Sequence, residues 1–379
     1  MLRISRLLKE VYYPRPQTES HGKSGLVVIW NLTNRCNLSC PHCYASAKSK
    51  EGTGELSTEE AKKVIDDLAH QAVLVLILSG GEPIMRKDFY ELAHYAMEKG
   101  ISCALSTNGT LINESHVKNI LKSGIGYVGI SIDGTQEKHD EFRGRQGAYG
   151  ASLRAIRLCR DAGIKVGLRL SLTSYTAAGL PRVFDLFEQE RLVKLYISHM
   201  NYSDKAANHI ALEPTETRAN MSFVVKKAME YLNDESLFRE IVTGNNDADG
   251  PFLLLSLKRQ DRSSARKLYN LLMQTGGNGS GVQLTNIDPW GEVHPDPFCR
   301  NITLGNVRQK PFSQIWANPQ HSLIILLRER KVPLNGRCGS CGFVNICGGN
   351  SRARAFAHSD DWWGSDPLCY LKDEEIFTP

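Results

Sequence analysis

Three cysteines lie close together in one short stretch of the chain, at Cys36, Cys40 and Cys43. Their C-x3-C-x2-C spacing comes directly after an apolar run with the character of a β-strand. Thiolates hold iron–sulfur clusters, and three of them can bind three irons of a cubane and leave the fourth open. A structural zinc site would normally be closed by a fourth Cys or His, and His42 is the only local residue of that kind. The stretch therefore predicts an iron–sulfur cluster, and the odd count argues against a disulfide.

A second group of cysteines lies near the end of the chain, at Cys338, Cys341, Cys347 and Cys369. Four thiolates saturate a 4Fe–4S cluster, and the same four are a favoured ligand set for structural zinc. The spacing alone leaves both alternatives open. Between the two groups stand isolated cysteines, of which Cys103 and Cys159 are expected to be buried structural thiols, while Cys299 remains a candidate ligand.

The elements between the cysteine groups alternate between apolar strands and amphipathic helices. Strands are predicted at 26–29, 73–78, 101–105, 127–132, 165–171 and 195–198. The clearest helix begins at Ser57, with Glu60 placed as in a capping box. Further helices are predicted at 88–99, 115–123, 148–162, 180–189, 214–233 and 252–273, and a short hairpin at 282–294. Continuous apolar strands separated by helices indicate parallel, right-handed β/α units. The pattern predicts an α/β fold but does not separate a partial barrel from a doubly wound sheet.

Short polar motifs follow two of the predicted strands. Gly80, Gly81, Glu82 and Pro83 come after the second strand, and Ser131-Ile132-Asp133-Gly134 ends the fourth. In barrel-type sheets the chemistry lies at the carboxyl ends of the strands, and glycine lets backbone approach a ligand closely. A plain turn is the alternative for either motif taken alone.

Composition restricts the classes of function. The 379 residues, 41% apolar and 23% charged, suffice for one large core with a smaller domain appended. No apolar run is long enough to span a bilayer, and residues 1–10 predict a docking helix, not a signal peptide. The net charge of +5 without a basic stripe argues against nucleic acid and suits a small polycarboxylate. Clustered cysteines indicate a reducing compartment, so we expect a cytoplasmic protein.

The first cysteine stretch, followed by Gly80–Pro83, resembles the radical S-adenosylmethionine (radical SAM) superfamily. The resemblance implies a partial (β/α)6 TIM-like barrel and a 4Fe–4S cluster whose open iron binds the amino and carboxylate groups of S-adenosyl-L-methionine, which is cleaved to a 5′-deoxyadenosyl radical. Gly80–Pro83 would meet the methionyl amino group, while Ser131 and Arg143 would hold its carboxylate, to which arginine presents two fixed donors. Adenine packing is expected at the ends of the fifth and sixth strands, near Arg169 and His199.

The second cysteine group, followed by Gly348-Gly349-Asn350, resembles the SPASM or twitch extension of these enzymes. The resemblance implies one auxiliary 4Fe–4S cluster on Cys338, Cys341, Cys347 and Cys369. Cys299 resembles the opening cysteine of a longer version of the pattern, but its expected partner is absent. The predicted organisation is an N-terminal helix and connection at 1–24, the partial barrel at 25–235, a bridging helical region at 236–281 and a SPASM/twitch-like domain at 282–379.

Stretches spread over nearly the whole chain, among them Val242–Gly250 and Gly348–Arg354, are similar to the heme d1 biosynthesis (NirJ-type) branch. The resemblance implies removal of propionate chains from the iron tetrapyrrole 12,18-didecarboxysiroheme, with an electron donor such as ferredoxin or flavodoxin. A sibling of the siroheme-dependent heme pathway, which removes acetate groups to give iron-coproporphyrin, is the alternative. A peptide-modifying maturase would usually bring an extension that the short run before Leu26 cannot hold. A non-enzymatic iron–sulfur or zinc module would not need Gly80–Pro83.

A flat iron tetrapyrrole with several carboxylates requires cationic side chains, and its iron could be bound by a side chain of the protein. Arg169, Arg352 and Arg354 are the predicted partners of its carboxylates, because guanidinium groups match carboxylate geometry. His199 and His294 are the predicted ligands of its iron, since imidazole suits iron. A structural histidine with its hydrogen bonds satisfied is the alternative for each.

Overall fold

The computed structural model describes residues 1–14, 25–47, 53–202, 209–232, 234 and 239–377. The predicted connection at 15–24, Asn233 and the predicted boundary at 235/236 lie outside the described residues. The chain forms two compact units, each discontinuous in sequence. Unit 1 comprises Met1–Ser20, Leu170–Gly279 and Glu329–Pro379, and unit 2 comprises His21–Arg169 and Ser280–Arg328. The predicted domain ranges are continuous and stay predictions.

The described strands, in chain order, are β1 Leu26–Asn31, β2 Val73–Ser79, β3 Cys103–Thr107, β4 Tyr127–Ser131, β5 Val166–Leu172, β6 Lys194–His199, β7 Glu240–Gly244, β8 Leu284–Ile287, β9 Glu292–His294 and β10 Gly305–Asn306. The longer helices are α1 Ile4–Tyr12, α2 Thr58–Ala69, α3 Phe89–Glu98, α4 Glu114–Lys122, α5 Gln136–Arg143, α6 Ala148–Asp161, α7 Leu180–Gln189, α8 Pro214–Leu232, α9 Asp249–Lys258 and α10 Arg262–Thr275. Short helices follow: α11 Phe312–Ala317, α12 Ser322–Glu329, α13 Gly336–Gly339, α14 Val344–Cys347, α15 Arg352–Ser359 and α16 Asp373–Ile376.

A mostly parallel sheet forms the core of unit 2. Its strands lie in the order β10-β9-β8-β1-β2-β3-β4-β5, and β1 to β5 pair in parallel with their neighbours. Val28, Leu76, Leu105 and Ile130, one from each of the first four strands, are at most 1% exposed. Each such burial contributes about 1.5–3 kcal/mol, which explains why the strands are continuous apolar runs. The parallel arrangement confirms the predicted α/β class and brings the carboxyl ends of β1 to β4 to one edge.

The entry into α2 confirms the predicted capping box. The Ser57 side chain accepts a hydrogen bond from the Glu60 backbone N–H, and the Glu60 carboxylate accepts one from the Ser57 N–H. Val64 and Leu68 are buried on the inner face of the helix. The cap fixes the start of α2 after the segment that follows the first cysteines, and typically contributes about 1 kcal/mol.

Two expectations about the second half of the chain were wrong. The predicted helix at 252–273 is two helices, because Asp261 accepts hydrogen bonds from the N–H groups of Ser263 and Ser264 and starts α10 afresh. The bridging helical region predicted at 236–281 also contains a strand, β7, which pairs in parallel with β6 inside unit 1. The predicted hairpin is confirmed as β8 and β9, and β8 extends the sheet of unit 2 by pairing in parallel with β1.

Candidate functional site

The first cysteine group forms a tight loop directly after β1. The Cys43 N–H donates to the Cys40 carbonyl at 3.2 Å, and the Leu38 N–H points at the Cys36 sulfur at 3.4 Å. Burial raises the pKa of Cys36 to about 11 and also raises that of Cys40, and the three thiols interact electrostatically with one another. Cys36 and Cys40 stay protonated on their own, because burial disfavours the thiolate. A bound metal centre supplies the positive charge that holds them as thiolates.

His42 packs as an apolar ring inside this loop. Its imidazole stacks on Phe142 with ring centroids 4.1 Å apart and planes within 4°. Burial, with Arg143 nearby, lowers the pKa of His42 to about 3, so the ring is neutral at physiological pH. Packing against α5 therefore accounts for the presence of His42 in the loop. The zinc-ligand role considered from the sequence is not needed to explain it.

The glycines of Gly80–Pro83 let this loop touch the first cysteine stretch. A β-carbon on Gly80 would lie 2.5 Å from the Thr33 carbonyl oxygen, and one on Gly81 would lie 2.2 Å from that of Arg35. Gly80 also has a φ of +140°, which residues with side chains rarely adopt. Hydrogen bonds then join the two loops, from the Gly81 N–H to Thr33 O at 2.7 Å and from the Glu82 N–H to Arg35 O at 2.8 Å.

The carboxylate of Glu82 is fully buried and ties the end of β2 to the end of β3. It accepts hydrogen bonds from the Thr107 hydroxyl at 2.7 Å and the Asn108 N–H at 2.9 Å. Burial raises the pKa of Glu82 to about 7 in spite of these donors. Asn108 in turn directs its side-chain amide towards the Cys36 sulfur at 4.0 Å. Glu82 therefore positions the loops that border the cysteines.

Arg143 reaches from α5 to the cysteine loop and is held by Asp133. Its Nε donates to Asp133 Oδ2 at 2.6 Å, and its Nη1 donates to the Cys40 sulfur at 3.7 Å. Asp133 is 0% exposed, and its backbone N–H donates to Nδ1 of His139. Arg143 was predicted as a site residue from the sequence, but its pairing with Asp133 was not predicted. The buried carboxylate fixes the guanidinium beside a thiol, where a positive charge and a donor to sulfur stabilise the thiolate.

Ser131 and Arg169 meet at the same sheet edge. They are directly paired in the register of β4 and β5, and the Ser131 hydroxyl lies 3.4 Å from the Thr107 carbonyl oxygen. The Arg169 stem packs on Gly129, where a β-carbon would come within 2.9 Å of it. Arg169 also acts electrostatically on Tyr44, the half-buried neighbour of Cys43. Ser131 and Arg169 are therefore neighbours at this edge of the sheet of unit 2.

The second cysteine group gathers inside unit 1. Cys347 is buried, and its thiol interacts electrostatically with the thiols of Cys338, Cys341 and Cys369; burial raises its pKa well above the ordinary value. The Cys347 carbonyl accepts the Asn278 N–H at 3.2 Å. A β-carbon on Gly277 would lie 2.2 Å from that carbonyl, so the glycine-rich stretch is a close packing contact within unit 1.

Three thiolates can hold three irons of a cubane and leave the fourth open, and four can saturate a 4Fe–4S cluster or close a zinc site. Within the described part of the chain, no three cysteine sulfurs lie within 4.8 Å of one another.

Cys299 belongs to unit 2, whereas the four cysteines of the second group belong to unit 1. It is 2% exposed, and its thiol lies 3.6 Å from Asp296 Oδ2. Its backbone N–H also donates to Asp296 at 2.9 Å. These bonds explain a buried thiol in a turn after β9.

Arg352 and Arg354 are not substrate-facing arginines, contrary to the expectation from the sequence. Arg354 is 0% exposed and pairs with the buried Asp366 through two hydrogen bonds of 3.0 and 2.7 Å. Arg352 is 2% exposed and donates to the carbonyls of Trp362 and Gly364. Both guanidinium groups are occupied in holding the polypeptide around the second cysteine group. Their place next to cysteines in the sequence did not reveal this burial.

His199, at the end of β6, is part of a buried network in unit 1. Its Nε2 lies 3.0 Å from Asp249 Oδ2, and the Tyr370 hydroxyl donates to the other Asp249 oxygen at 2.5 Å. The imidazole also stacks against the Tyr370 ring. The geometry supports a positioning role for His199 more directly than contact with adenine or with a substrate iron.

Comparisons with known proteins identify the family. The model of the radical SAM superfamily matches residues 30–195, and the SPASM iron–sulfur cluster-binding domain matches residues 280–342. The chain is 41% identical to Fe-coproporphyrin III synthase of Methanosarcina barkeri over 92% of this chain and 89% of the relative. It is 40% identical to pre-heme d1 synthase of Dinoroseobacter shibae over 100% of this chain and 94% of that protein. The chain belongs to the radical SAM superfamily.

A solved radical SAM structure shares the fold. Streptococcus suis SuiB bound to S-adenosylmethionine superposes with a TM-score of 0.71 at 16% identity, covering 92% of this chain and 77% of that one. The fold class, a radical SAM α/β sheet with a C-terminal SPASM domain, is therefore confirmed. The protein is a radical SAM enzyme with a 4Fe–4S cluster that binds S-adenosyl-L-methionine and a further iron–sulfur cluster in the SPASM domain. None of its described helices combines the length and the hydropathy needed to cross a membrane.

Proposed function

We propose that this radical SAM enzyme removes propionate side chains from the iron tetrapyrrole 12,18-didecarboxysiroheme on the way to heme d1. The observation that carries the proposal is the match with pre-heme d1 synthase, which runs through the whole of this chain at 40% identity. The cofactor-binding elements support it, because the first cysteine loop, Gly80–Pro83 and Ser131 come at the carboxyl ends of β1, β2 and β4 in the sheet of unit 2.

The roles of the core residues are proposed from their contacts. When bound, the first cluster and S-adenosyl-L-methionine supply a 5′-deoxyadenosyl radical, which abstracts hydrogen from a substrate carbon. Cys36, Cys40 and Cys43 hold the cluster as thiolates. The backbone of Gly80–Pro83, kept against the cysteine stretch, presents amides and carbonyls to the methionyl amino group. Cys36, Glu82 and Pro83 are buried in these loops, which limits the access of water that would otherwise intercept the radical.

Ser131, Arg143 and Arg169 are the polar side chains proposed to recognise S-adenosyl-L-methionine and the substrate. Asp133 and the Cys40 sulfur hold Arg143, so its guanidinium is fixed before a ligand arrives. Arg169 is half-buried at the strand position paired with Ser131. We assign Ser131 and Arg143 to the methionyl carboxylate and Arg169 to the adenosyl or substrate side of the same edge. Fixed donors cost less side-chain entropy on binding, which suits a flat anion with several carboxylates.

The sibling activity is the second candidate. Fe-coproporphyrin III synthase is 41% identical over 92% of this chain, so overall similarity does not separate the two. The acetate and propionate substituents of the tetrapyrrole differ by one methylene, and a single methylene alters recognition by only about 1–3 kcal/mol. Identifying the reaction product is therefore what distinguishes removal of propionate from removal of acetate.

The test is anaerobic turnover of the reconstituted enzyme with S-adenosyl-L-methionine, dithionite and 12,18-didecarboxysiroheme, followed by mass spectrometry of the tetrapyrrole. Loss of propionate-derived mass supports the proposal, whereas loss of two carboxymethyl groups assigns the sibling activity. Formation of 5′-deoxyadenosine with an unchanged tetrapyrrole would overturn the substrate assignment. Cys36→Ser should abolish 5′-deoxyadenosine, while Cys103→Ser, which alters a buried thiol of β3, should retain it.

Cys338, Cys341, Cys347 and Cys369 would hold the auxiliary cluster, which would supply a site able to accept the electron left when a side chain departs. Replacing Cys338 and Cys341 with serine should therefore spare S-adenosyl-L-methionine cleavage and stop tetrapyrrole turnover. Unchanged turnover in that variant would contradict the role. We propose a ferredoxin or flavodoxin as electron donor, tested by substituting either for dithionite. A cytoplasmic location is proposed from the ten free cysteines, which a reducing compartment preserves.

A further inference from the structure

Asp288, Glu292 and His294 lie on one face of the β8–β9 hairpin of unit 2. Asp288 follows β8 and stands opposite Glu292, since its N–H donates to the Glu292 carbonyl at 2.9 Å. Glu292 and His294 are two residues apart in β9, so their side chains point to the same side of the strand. One carboxylate oxygen from each acid and one imidazole nitrogen lie within 4.8 Å of one another.

The histidine is prepared as a ligand and makes no hydrogen bond through its inward nitrogen. His294 is 1% exposed, and its Nδ1 lies 2.8 Å from the Ile302 carbonyl oxygen. A carbonyl only accepts, so Nδ1 carries a proton, and in the neutral imidazole Nε2 then has the lone pair that can bind a metal ion. Nε2 is buried without a hydrogen-bond partner, 3.8 Å from Asp288 Oδ2 and 3.9 Å from Glu292 Oε2. A backbone carbonyl on the far nitrogen is the usual way in which proteins orient a metal-binding histidine.

The carboxylates are also partly fixed. Oδ1 of Asp288 accepts the N–H groups of Trp290 at 2.9 Å and Glu292 at 2.8 Å, which leaves Oδ2 directed towards His294. Arg308 interacts electrostatically with Asp288, but its own donors bond to Glu60 and to backbone carbonyls. An unpaired imidazole nitrogen beside two carboxylates, at separations too long for hydrogen bonds, has the geometry of ligands around a shared cation.

We propose that Asp288, Glu292 and His294 bind a divalent first-row transition metal ion, separate from both iron–sulfur clusters. For an ion about 2.1–2.2 Å from Nε2 and from either oxygen, separations of 3.8 and 3.9 Å correspond to N–metal–O angles of roughly 120–135°. One imidazole and two carboxylates suit Zn²⁺ or Mn²⁺, with water completing the shell. Glu292 is half-exposed and supplies the adjustable ligand on the solvent side.

The ion would brace the strand that leads to the first cysteines. β8 pairs with β1, and the Asn286 side chain donates to the Ile29 carbonyl at 2.8 Å. β1 ends five residues before Cys36. A metal ion closing the hairpin turn therefore stabilises the neighbour of the strand that carries the cluster loop, through the fold and not through contact with substrate.

The test measures metal binding to the full-length enzyme with both clusters assembled and loosely held metal removed by a mild chelator. Titration with Mn²⁺, followed by electron paramagnetic resonance, and competition with Zn²⁺ should show one ion per chain beyond the cluster iron. Glu292→Gln and Asp288→Asn should each weaken binding at least about tenfold. The control is Glu98→Gln, which alters an exposed His94–Glu98 pair at 3.4 Å and should leave binding unchanged.

Thermal unfolding gives a second readout, because a ligand that binds only the folded state raises the melting temperature. Zn²⁺ should raise it in the wild type and not in Glu292→Gln, whose half-exposed side chain can change without disrupting the core. His294→Gln should behave likewise if it folds. Binding of no ion, or equal binding by the wild type, Glu292→Gln and Asp288→Asn, would overturn the proposal and leave an ordinary histidine–carboxylate pair.

Discussion

Replacing Gly81 with alanine should separate the Gly80–Pro83 loop from the first cysteine stretch. The new β-carbon would lie 2.2 Å from the carbonyl oxygen of Arg35 and 2.6 Å from its carbonyl carbon. Both atoms belong to the backbone, so no side chain can rotate away. The two loops must therefore move apart by roughly 1 Å to restore van der Waals distances.

The expected cost follows from what that movement disrupts. The hydrogen bonds from Gly81 N–H to Thr33 and from Glu82 N–H to Arg35, at 2.7 and 2.8 Å, each contribute about 1 kcal/mol net. Overpacking adds about 1–3 kcal/mol. The variant should lose roughly 3–5 kcal/mol of unfolding free energy, which a protein of typical stability can survive. A displacement of about 1 Å next to the reacting groups should lower S-adenosyl-L-methionine cleavage by about 100-fold.

The assay compares iron content, thermal unfolding and 5′-deoxyadenosine formation in anaerobically reconstituted protein. The matched control is Gly150→Ala in α6, where a β-carbon would meet nothing within 4 Å. That change should raise stability by about 0.5–1 kcal/mol, because alanine replaces glycine inside a helix. If Gly81→Ala keeps the wild-type melting temperature and cleavage rate, the loop contact does not have the role assigned to it.

Three further predictions concern the same region and the unassigned cysteine. Burial raises the pKa of Glu82 from 4.5 to about 7. Its contribution to stability is therefore complete below about pH 4.5 and is lost as pH rises through 7. Unfolding by denaturant between pH 5.5 and 8 should show this decline in the wild type and not in Glu82→Gln. A lysine in place of Arg143 cannot contact the Asp133 carboxylate and the Cys40 sulfur at once, so Arg143→Lys should lower the free energy of unfolding by about 2–4 kcal/mol. Arg182→Lys, in an exposed ion pair, should lower it by less than about 1 kcal/mol. Cys299→Ser should keep the wild-type iron content and Cys338→Ser should not; equal losses would make Cys299 a ligand.

The strands and the cysteine loop were predictable because their signals are local. Val28 and Leu76 belong to continuous apolar runs, which the parallel sheet buries on both faces. Ser57 carries its own cap signal within four residues. β7 was missed because its five residues begin with Glu240 and end at Gly244, so too few apolar positions remain to distinguish a strand from helix or loop.

The partners of the site residues were not predictable, because they depend on the register of neighbouring strands. Glu82 was named as a ligand-binding residue, yet its carboxylate is bonded to the end of β3, a segment 25 residues further along. Arg354 was named for its place beside the second cysteines, and the buried Asp366 that holds it gives no sign in a single sequence. A carboxylate after one strand and a donor after the next could have suggested such a pair, since parallel strands end at a common edge.

Glycine at Gly80 and Gly81 is required by the protein itself, which changes what the motif means. The sequence suggested that the absence of side chains there serves a ligand. In the structure, the backbone of Thr33 and Arg35 already excludes any β-carbon, and Gly80 needs its positive φ to bring the loops together. The close approach to S-adenosyl-L-methionine that we propose for this loop would then be a consequence of this contact, because the contact sets the loop beside the first cysteine stretch. A larger residue at either position would disrupt the cysteine loop before it obstructed the ligand, so cluster assembly should respond to substitution along with S-adenosyl-L-methionine binding.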